Sequence, residues 1–518
     1  MEDSLRKILQ NAGYLSHILK IDESRQDSVV MVKVDIAPGS PASIAGITIR
    51  GQVDDMHVLT EMFRFAAGEQ YSINALGSGI NALLQWHEGK GYPLVSVIVD
   101  SMSATVPIEG TPAVELFITV QKGEQFLLEQ FLIEGNKETR TEVIEREVGR
   151  YRGVPFSPSV AAAIRQRINR LQLFSMVDIS EPMIFDDERF GLAINVTETN
   201  YNRFDGVLGY VPASQSGEKG YFTGAVDLNF RNLFGTGRRL GVRWFRERIQ
   251  TEEIEMRYLE PWFFSIPLHL EAGYSSRKQD STYFRTRYSL NAEYPLNESF
   301  SLSFSLESML IVVPEITTNS GSAKSNTTFY GIGALYDTRN DPVTPISGLF
   351  IKTMYQSGPK SISIPLIGTQ RVTNQRLTLD AFGYIPWSRR SVTQVGVVGK
   401  KTTAGILEPG DLYLAGGTLL LRGYRENEFT GSSVLVGSIE QRFLLSFRSY
   451  AYGFVDLGYI GLRGQQETGL KELHLNRTGY GLGIRIESGV GLVGISYALG
   501  EGDTFSTGKI HFRLVNEF

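Results

Sequence analysis

The sequence predicts a multi-domain chain: α+β repeats up to about residue 200, then a 16-stranded antiparallel transmembrane β-barrel running to Phe518. Three observations predict it. In the first part, the order strand, helix, helix, strand, strand recurs with a period of roughly 75 to 85 residues, which is the mark of an array. After about Tyr201 the helical period disappears and period 2 takes over. The alternating segments number about sixteen, each of ten or so residues, the length a tilted strand needs to cross a bilayer.

Composition narrows the function classes. A chain of 518 residues is too long for one average domain. A net charge of −5 without a Lys/Arg run gives no reason to expect nucleic acid as a partner. Cysteine is absent, so there is neither a disulfide framework nor a thiolate metal site. His17, His57, His87, His269, His474 and His511 are scattered, with no pair at metal-ligand spacing. No apolar run approaches the roughly 18 residues of a spanning helix, and Met1-Glu2-Asp3-Ser4-Leu5 lacks the apolar core of a secretory signal. No Ser/His/Asp set or carboxylate pair stands at usable spacing. Gly479-Tyr480-Gly481-Leu482-Gly483 resembles a phosphate loop but sits in a strand with no helix after it. The expectation is a non-enzyme with no catalytic residue, metal or cofactor.

The repeats read as follows. Leu5, Ile8, Leu9 and Ala12 share one helical face, Gly13 ends that helix, and Tyr14 to Lys20 and Ser28 to Ile36 read as short strands. A second unit opens on the strand Ser43 to Gly51, with helices near Val58 to Phe65 and from Ile73 to His87. Gly91-Tyr92 repeats Gly13-Tyr14, and strands follow at Leu94 to Asp100 and Ala113 to Val120. A third runs from Phe126 to Gly135 through helices at Thr139 to Val148 and Pro158 to Leu171, with Ser157 as N-cap and Pro158 at the first helical position. Strands at Met176 to Ser180 and Leu192 to Glu198 complete it. Each module offers a sheet edge that can capture an extended peptide.

In the second part, Phe300, Leu302, Phe304 and Leu306 alternate with Ser301, Ser303, Ser305 and Glu307. Tyr288, Leu290, Ala292 and Tyr294 do the same, as do Val226, Leu228 and Phe230. A soluble sandwich also alternates. The barrel is favoured by the even strand number and by connections that alternate between short (Pro295-Leu296-Asn297; Trp387 to Arg390) and long (Pro314 to Ser325; Gly358 to Val372). Arg285, Arg287 and Glu293 fall on the polar face, toward a wet lumen, and Trp244, Tyr258, Trp262, Tyr294 and Trp387 recur near strand ends as interface girdles require. Counting strands puts the longest loop, Gly405 to Ser433, between strands eleven and twelve, with Leu421-Arg422-Gly423-Tyr424 inside it.

With these motifs in view, the chain resembles the outer-membrane barrel-assembly and translocation superfamily, the BamA/TamA-like proteins with POTRA modules ahead of a surface-antigen barrel. Asn232-Leu233-Phe234-Gly235-Thr236-Gly237 matches the turn after the second strand, and Asp337-Thr338-Arg339-Asn340-Asp341-Pro342 matches the mid-barrel turn. Leu421 to Tyr424 matches the sixth-loop motif, usually Val-Arg-Gly-Phe. Phe454-Val455-Asp456-Leu457-Gly458 matches the strand-thirteen motif, and Phe518 the C-terminal sorting signal. The resemblance implies domains at 1–40 (a partial, N-terminally truncated module), 41–122, 123–199 and 200–518.

It further implies that loop six folds into the barrel, where Arg422 is held by Asp456 and by Glu440. Arg suits this because its planar fork matches carboxylates, and Val455 and Leu457 flank Asp456, which turns the acid inward. The implied function is nucleotide-free insertion or assembly of β-barrel proteins at the outer membrane of a Gram-negative bacterium or related organelle, with the modules in the periplasm. The implied partners are unfolded or nascent outer-membrane or secreted proteins, the lipid bilayer, and accessory periplasmic or inner-membrane subunits. The route is a seam between the first strand, Phe204 to Val211, and the last, Gly508 to Phe518. The alternative is a two-partner-secretion exporter of one dedicated protein, with residues 4 to 12 as its plug helix.

Overall fold

The computed structural model describes residues 2–26, 29–51, 69–105, 112–185, 188–199, 202–211, 221–248, 250–280, 282–314, 323–364, 368–418, 420–446, 448–465, 470–488 and 491–515. The predicted helix at Val58 to Phe65 and the terminal Phe518 lie outside these residues. The chain forms two compact units: one of residues 1–134, 145–165 and 178–195, the other of 135–144, 166–177 and 196–518.

In the first unit, helix Glu2–Asn11 ends at Gly13, whose φ of 88° suits glycine. An antiparallel hairpin, Ile18–Gln26 with Val29–Ala37, follows. The predicted first strand therefore begins four residues late. Tyr14 N–H bonds back to the Leu9 carbonyl and His17 Nδ1 lies 2.8 Å from the Tyr14 carbonyl, so residues 14–17 form the helix exit. The next sheet has the order Ser43–Gly51, Ala113–Gln121, Ser96–Thr105, with its first pair parallel and its second antiparallel. Helix Ile73–Gly89 lays Leu76 and Leu83 on Val114, Leu116 and Ile118, the inward side of the central strand. Between residues 130 and 198 a further sheet takes Gln130–Glu134, Phe190–Glu198 and Phe174–Ile179 in that order, with helices Thr141–Val148 and Pro158–Arg170; residues 135–144, 166–177 and 196–198 of this stretch belong to the second unit. Ser157 Oγ accepts from Val160 N–H at 3.2 Å, the N-cap that its sequence position predicts.

The second unit is dominated by one antiparallel sheet of sixteen strands paired in chain order. Strands one to eight are Arg203–Val211, Tyr221–Leu233, Arg238–Arg248, Thr251–Glu260, His269–Gln279, Tyr283–Pro295, Phe300–Val313 and Ala323–Asp337. Strands nine to sixteen are Gly348–Ile364, Gly368–Ser388, Ser391–Ala404, Ser433–Leu444, Tyr450–Leu462, Leu473–Ser488, Gly491–Gly500 and Lys509–Val515. Alternation sorts their side chains: in strand twelve Leu435, Ile439 and Phe443 are exposed while Val434, Val436, Glu440 and Arg442 are buried.

Three expectations are corrected. The stretch Gly358 to Val372 is not a long loop, because strands nine and ten continue as a ladder from Gly358↔Asn374 to Ile364↔Gly368. Polar residues there were read as loop, but Ser361 and Ser363 pair across the ladder as readily as apolar ones. The alternation of short and long connections is also incomplete, since Arg248 to Thr251 and Gln279 to Tyr283 are both tight. The inner face is not uniformly wet either: Met309, Ile311 and Val313 of strand seven form an apolar cluster with Tyr283 and Phe329.

Candidate functional site

Loop six joins Ala404 of strand eleven to Ser433 of strand twelve. A short turn of 3-10 helix, Pro409–Asp411, precedes a small hairpin, Tyr413–Ala415 paired with Phe429–Gly431, and a Gly417–Leu421 bridge tightens its tip. The loop's contacts define its place. Gly410 accepts from Arg285 of strand six, and Glu408 and Asp411 meet strands eight to ten. Arg422 meets strands twelve and thirteen, Tyr424 strand fourteen, and Gly423 strand sixteen. A single loop can touch one face of all these strands only if the sheet curls around it.

Arg422 is clamped from three directions. Its Nε and Nη2 donate to the two Asp456 oxygens at 2.8 and 2.7 Å, its backbone N–H reaches Asp456 Oδ2 at 3.0 Å, and Nη1 donates to Glu440 Oε2 at 2.7 Å. The guanidinium lies 3.5 Å from the centre of the Phe454 ring. Burial depresses the Arg422 pKa, but the hydrogen bond and charge of Asp456, with Glu440, more than offset this and raise it above its ordinary value. Asp456 is only 1% exposed and pairs in register with Ser438, so the strand-thirteen motif delivers both the acid and the stacking ring. Sequence reasoning named Phe454 within the motif but gave its ring no role. The i, i+2 spacing of Phe454 and Asp456, which puts both on one face, was the available signal.

Glu440 serves two arginines, because Arg442 Nε also donates to it at 2.8 Å. Arg442 Nη1 reaches the Pro345 carbonyl at 3.4 Å, so the mid-barrel turn is tied to the same cluster. Within that turn, Asp337 grips Arg339 through both carboxylate oxygens at 2.9 and 2.8 Å, Arg339 Nη1 donates to the Pro342 carbonyl, and Asp341 Oδ1 accepts from Val343 and Thr344 N–H. A cavity of about 310 Å³ is bounded by both motifs, including Arg339, Arg422, Glu440, Arg442 and Asp456.

The turn after strand two works elsewhere. Asn232 Oδ1 accepts from Gly237 N–H at 2.7 Å and its Nδ2 donates to Thr139 Oγ1 at 2.9 Å, while the Gly235 carbonyl accepts from Arg140 N–H. Phe234, Gly235 and Gly237 all have positive φ, which the tight turn requires. Residues 137–139 are held in turn by Glu198, which accepts from their backbone N–H groups. This turn therefore docks the residue 137–140 segment and does not join the Arg422 cluster.

The tetrapeptide's other residues fix its backbone. Leu421 is fully buried against Val434, Val436 and Ile460. Gly423 has φ +94°, and its N–H donates to His511 Nε2 at 3.1 Å. Tyr424 Oη donates to the Thr478 carbonyl at 3.0 Å and accepts from Glu501 N–H at 2.9 Å. Strand fourteen passes so close that a Cβ on Gly479 would overlap the Arg422 carbonyl oxygen. Gly479→Ala is expected to push the tetrapeptide off the wall and to cost roughly 1–3 kcal/mol by overpacking. Thermal unfolding of the purified barrel, with Gly437→Ala as control because no atom lies near its Cβ, checks this.

A second anchor was not anticipated. Lys360 of strand nine is fully buried and pairs with Glu408 at 2.8 Å and with Asp411 of loop six. Ser325 Oγ donates to Glu408, Asn374 Nδ2 donates to Asp411 at 3.1 Å, and Thr402 Oγ1 donates to Asn374 at 3.1 Å. Reading Gly358 to Val372 as loop hid Lys360. Had the strand been extended, its place on the polar face with Gln356 would have marked it.

Comparisons with known proteins bear on both parts of the chain. Residues 232–518 match the model of the Omp85 superfamily domain, and residues 127–199 match a POTRA model described as a surface antigen variable number repeat. Outer membrane protein assembly factor BamA of Neisseria meningitidis is 22% identical over 260 residues, 49% of this chain and 31% of that protein. BamA of Neorickettsia risticii is 26% identical over 245 residues, 46% of this chain and 31% of that protein. The matched stretch thus spans less than a third of these relatives. The crystal structure of Haemophilus ducreyi BamA lacking POTRA domains 1–3 superposes with a TM-score of 0.50 at 18% identity, covering 91% of this chain and 98% of that one, a likeness of fold.

Proposed function

The chain belongs to the Omp85 superfamily, and from that membership we propose that it is an outer-membrane insertase that assembles β-barrel proteins without nucleotide or catalytic residue. Its modules face the periplasm, where their sheet edges hold unfolded substrate strands before passing them to the barrel. Loop six, locked by Arg422 on Asp456 and Glu440, acts as a structural latch that keeps the wall of strands twelve to sixteen in its working shape.

One observation carries the reading. Strands one and sixteen are the two ends of the sheet's pairing order, and among the described residues no pairing joins them. A sheet end left unpaired on one side offers free backbone donors and acceptors to an incoming strand. Gly206 and Gly209 within strand one weaken its own pairing further.

A disulfide engineered between strands one and sixteen is expected to abolish assembly, with reductant restoring it. Depletion of the protein, followed by quantitative proteomics of the outer membrane, is expected to lower many barrel proteins together. Loss of a single secreted protein with the barrel proteome intact would instead identify a dedicated exporter.

A further inference from the structure

We propose that the barrel interior contains a binding site for a small oxyanion of the phosphate class, on the wall of strands five, six, ten and eleven beneath loop six. A cavity of about 340 Å³ opens there, lined by Arg277, Arg285, Arg287, Arg376, Lys400 and Tyr413.

The charges on this wall do not balance. Glu253 holds Arg277 at 2.8 Å, and Glu307 is shared between Arg376 at 2.7 Å and Arg287 at 3.3 Å. Arg285 donates only to the Gly410 carbonyl, and among the described residues no carboxylate meets Arg285 or Lys400. Five cations therefore face two carboxylates. Asp411, which also borders the cavity, is already engaged by Lys360 and Asn374.

Donors are left over as well. Arg376 is 6% exposed, yet its Nε has no hydrogen-bond partner, and its Nη2 faces the Met309 sulfur, a weak acceptor. The Tyr413 hydroxyl, from loop six, is buried without a partner on the same cavity. Buried donors left unsatisfied are costly, and two of them on residues that border a cavity with surplus positive charge call for a multivalent acceptor. A phosphate dianion supplies acceptors on every side and suits guanidinium forks. The cavity volume suits a free ion or a single phosphate group on a small carrier.

Calorimetric titration of the detergent-solubilised full chain at low ionic strength tests this, with inorganic phosphate and glycerol 3-phosphate as separate arms. Saturable binding of inorganic phosphate alone assigns a free ion, and binding of both assigns a phosphate group on either carrier. Lys400→Gln, whose side chain has no described partner to disturb, should weaken binding roughly ten-fold, the loss of one charge-assisted hydrogen bond. Lys400→Arg should retain it, and Arg285→Gln should reproduce the loss at an independent position. No saturable binding by the wild-type protein in either arm, or wild-type affinity in both Lys400→Gln and Arg285→Gln, overturns the proposal.

Discussion

Arg422→Ala is expected to leave a barrel that forms but assembles little substrate. The substitution strips a cation partner from Asp456 and Glu440, which are 1% and 6% exposed and so lie in a poorly solvated place. Breaking a buried pair from one side costs about 3–5 kcal/mol, because an uncompensated charge stays behind. With roughly 1.4 kcal/mol per power of ten, the latched state then loses at least two powers of ten in population relative to unlatched ones. Arg442 continues to hold Glu440, so Asp456 is the group left without a cation partner. Arg422→Lys is expected to fall between, since an ammonium cannot present the planar fork that reaches both carboxylates and stacks on Phe454. The fraction of folded barrel and the assembly activity are to be measured on the same preparations. Wild-type activity in Arg422→Ala would sink the latch, whereas parallel loss of folding and activity would reduce Arg422 to a structural residue.

The extent to which this site was legible depends on where each residue sits. Asp456 could be turned inward from the sequence because Val455 and Leu457 flank it and strand side chains alternate, and the structure exposes both flanking residues. Glu440 required only that the strand count be right, since register then places it opposite Phe454, two pairs from Asp456 and on the same face. His511 was not reachable this way, because its contact with Gly423 joins residues 88 apart through the curl of the sheet around loop six, which no local pattern encodes. Lys360 was lost for a different reason. A lysine beside Gly358 and Pro359 reads as loop, and the ladders from strands eight and ten hold that segment extended.

Lys360→Met is therefore expected to have an effect of the same order as the loss of Arg422, from a residue that no motif marks. Lys360 is the sole cation paired with Glu408 and Asp411 among the described residues, and all three side chains are at most 2% exposed. Removing it leaves two carboxylates confined together, again at about 3–5 kcal/mol, and the first limb of loop six should detach from strands eight to ten while Arg422 still holds the second. Limited proteolysis of the folded barrel should then cut near Pro409 and spare Tyr424. The pH dependence has a definite sign. Burial already raises the Glu408 carboxyl above its ordinary value, with Lys360 pulling it down and Asp411 pushing it up. Without Lys360 it rises further, the folded state binds more protons than the unfolded one, and stability increases as pH falls toward the folded value. The variant should thus regain protease resistance on acidification from neutral pH, and gain more than the wild type, in which Lys360 holds the Glu408 carboxyl lower. Replacing all three groups, as Lys360→Met with Glu408→Gln and Asp411→Asn, removes the stranded charges and should restore resistance at neutral pH. If that triple variant stays as sensitive as the single one, the damage comes from lost packing and the ionic anchor is the wrong explanation.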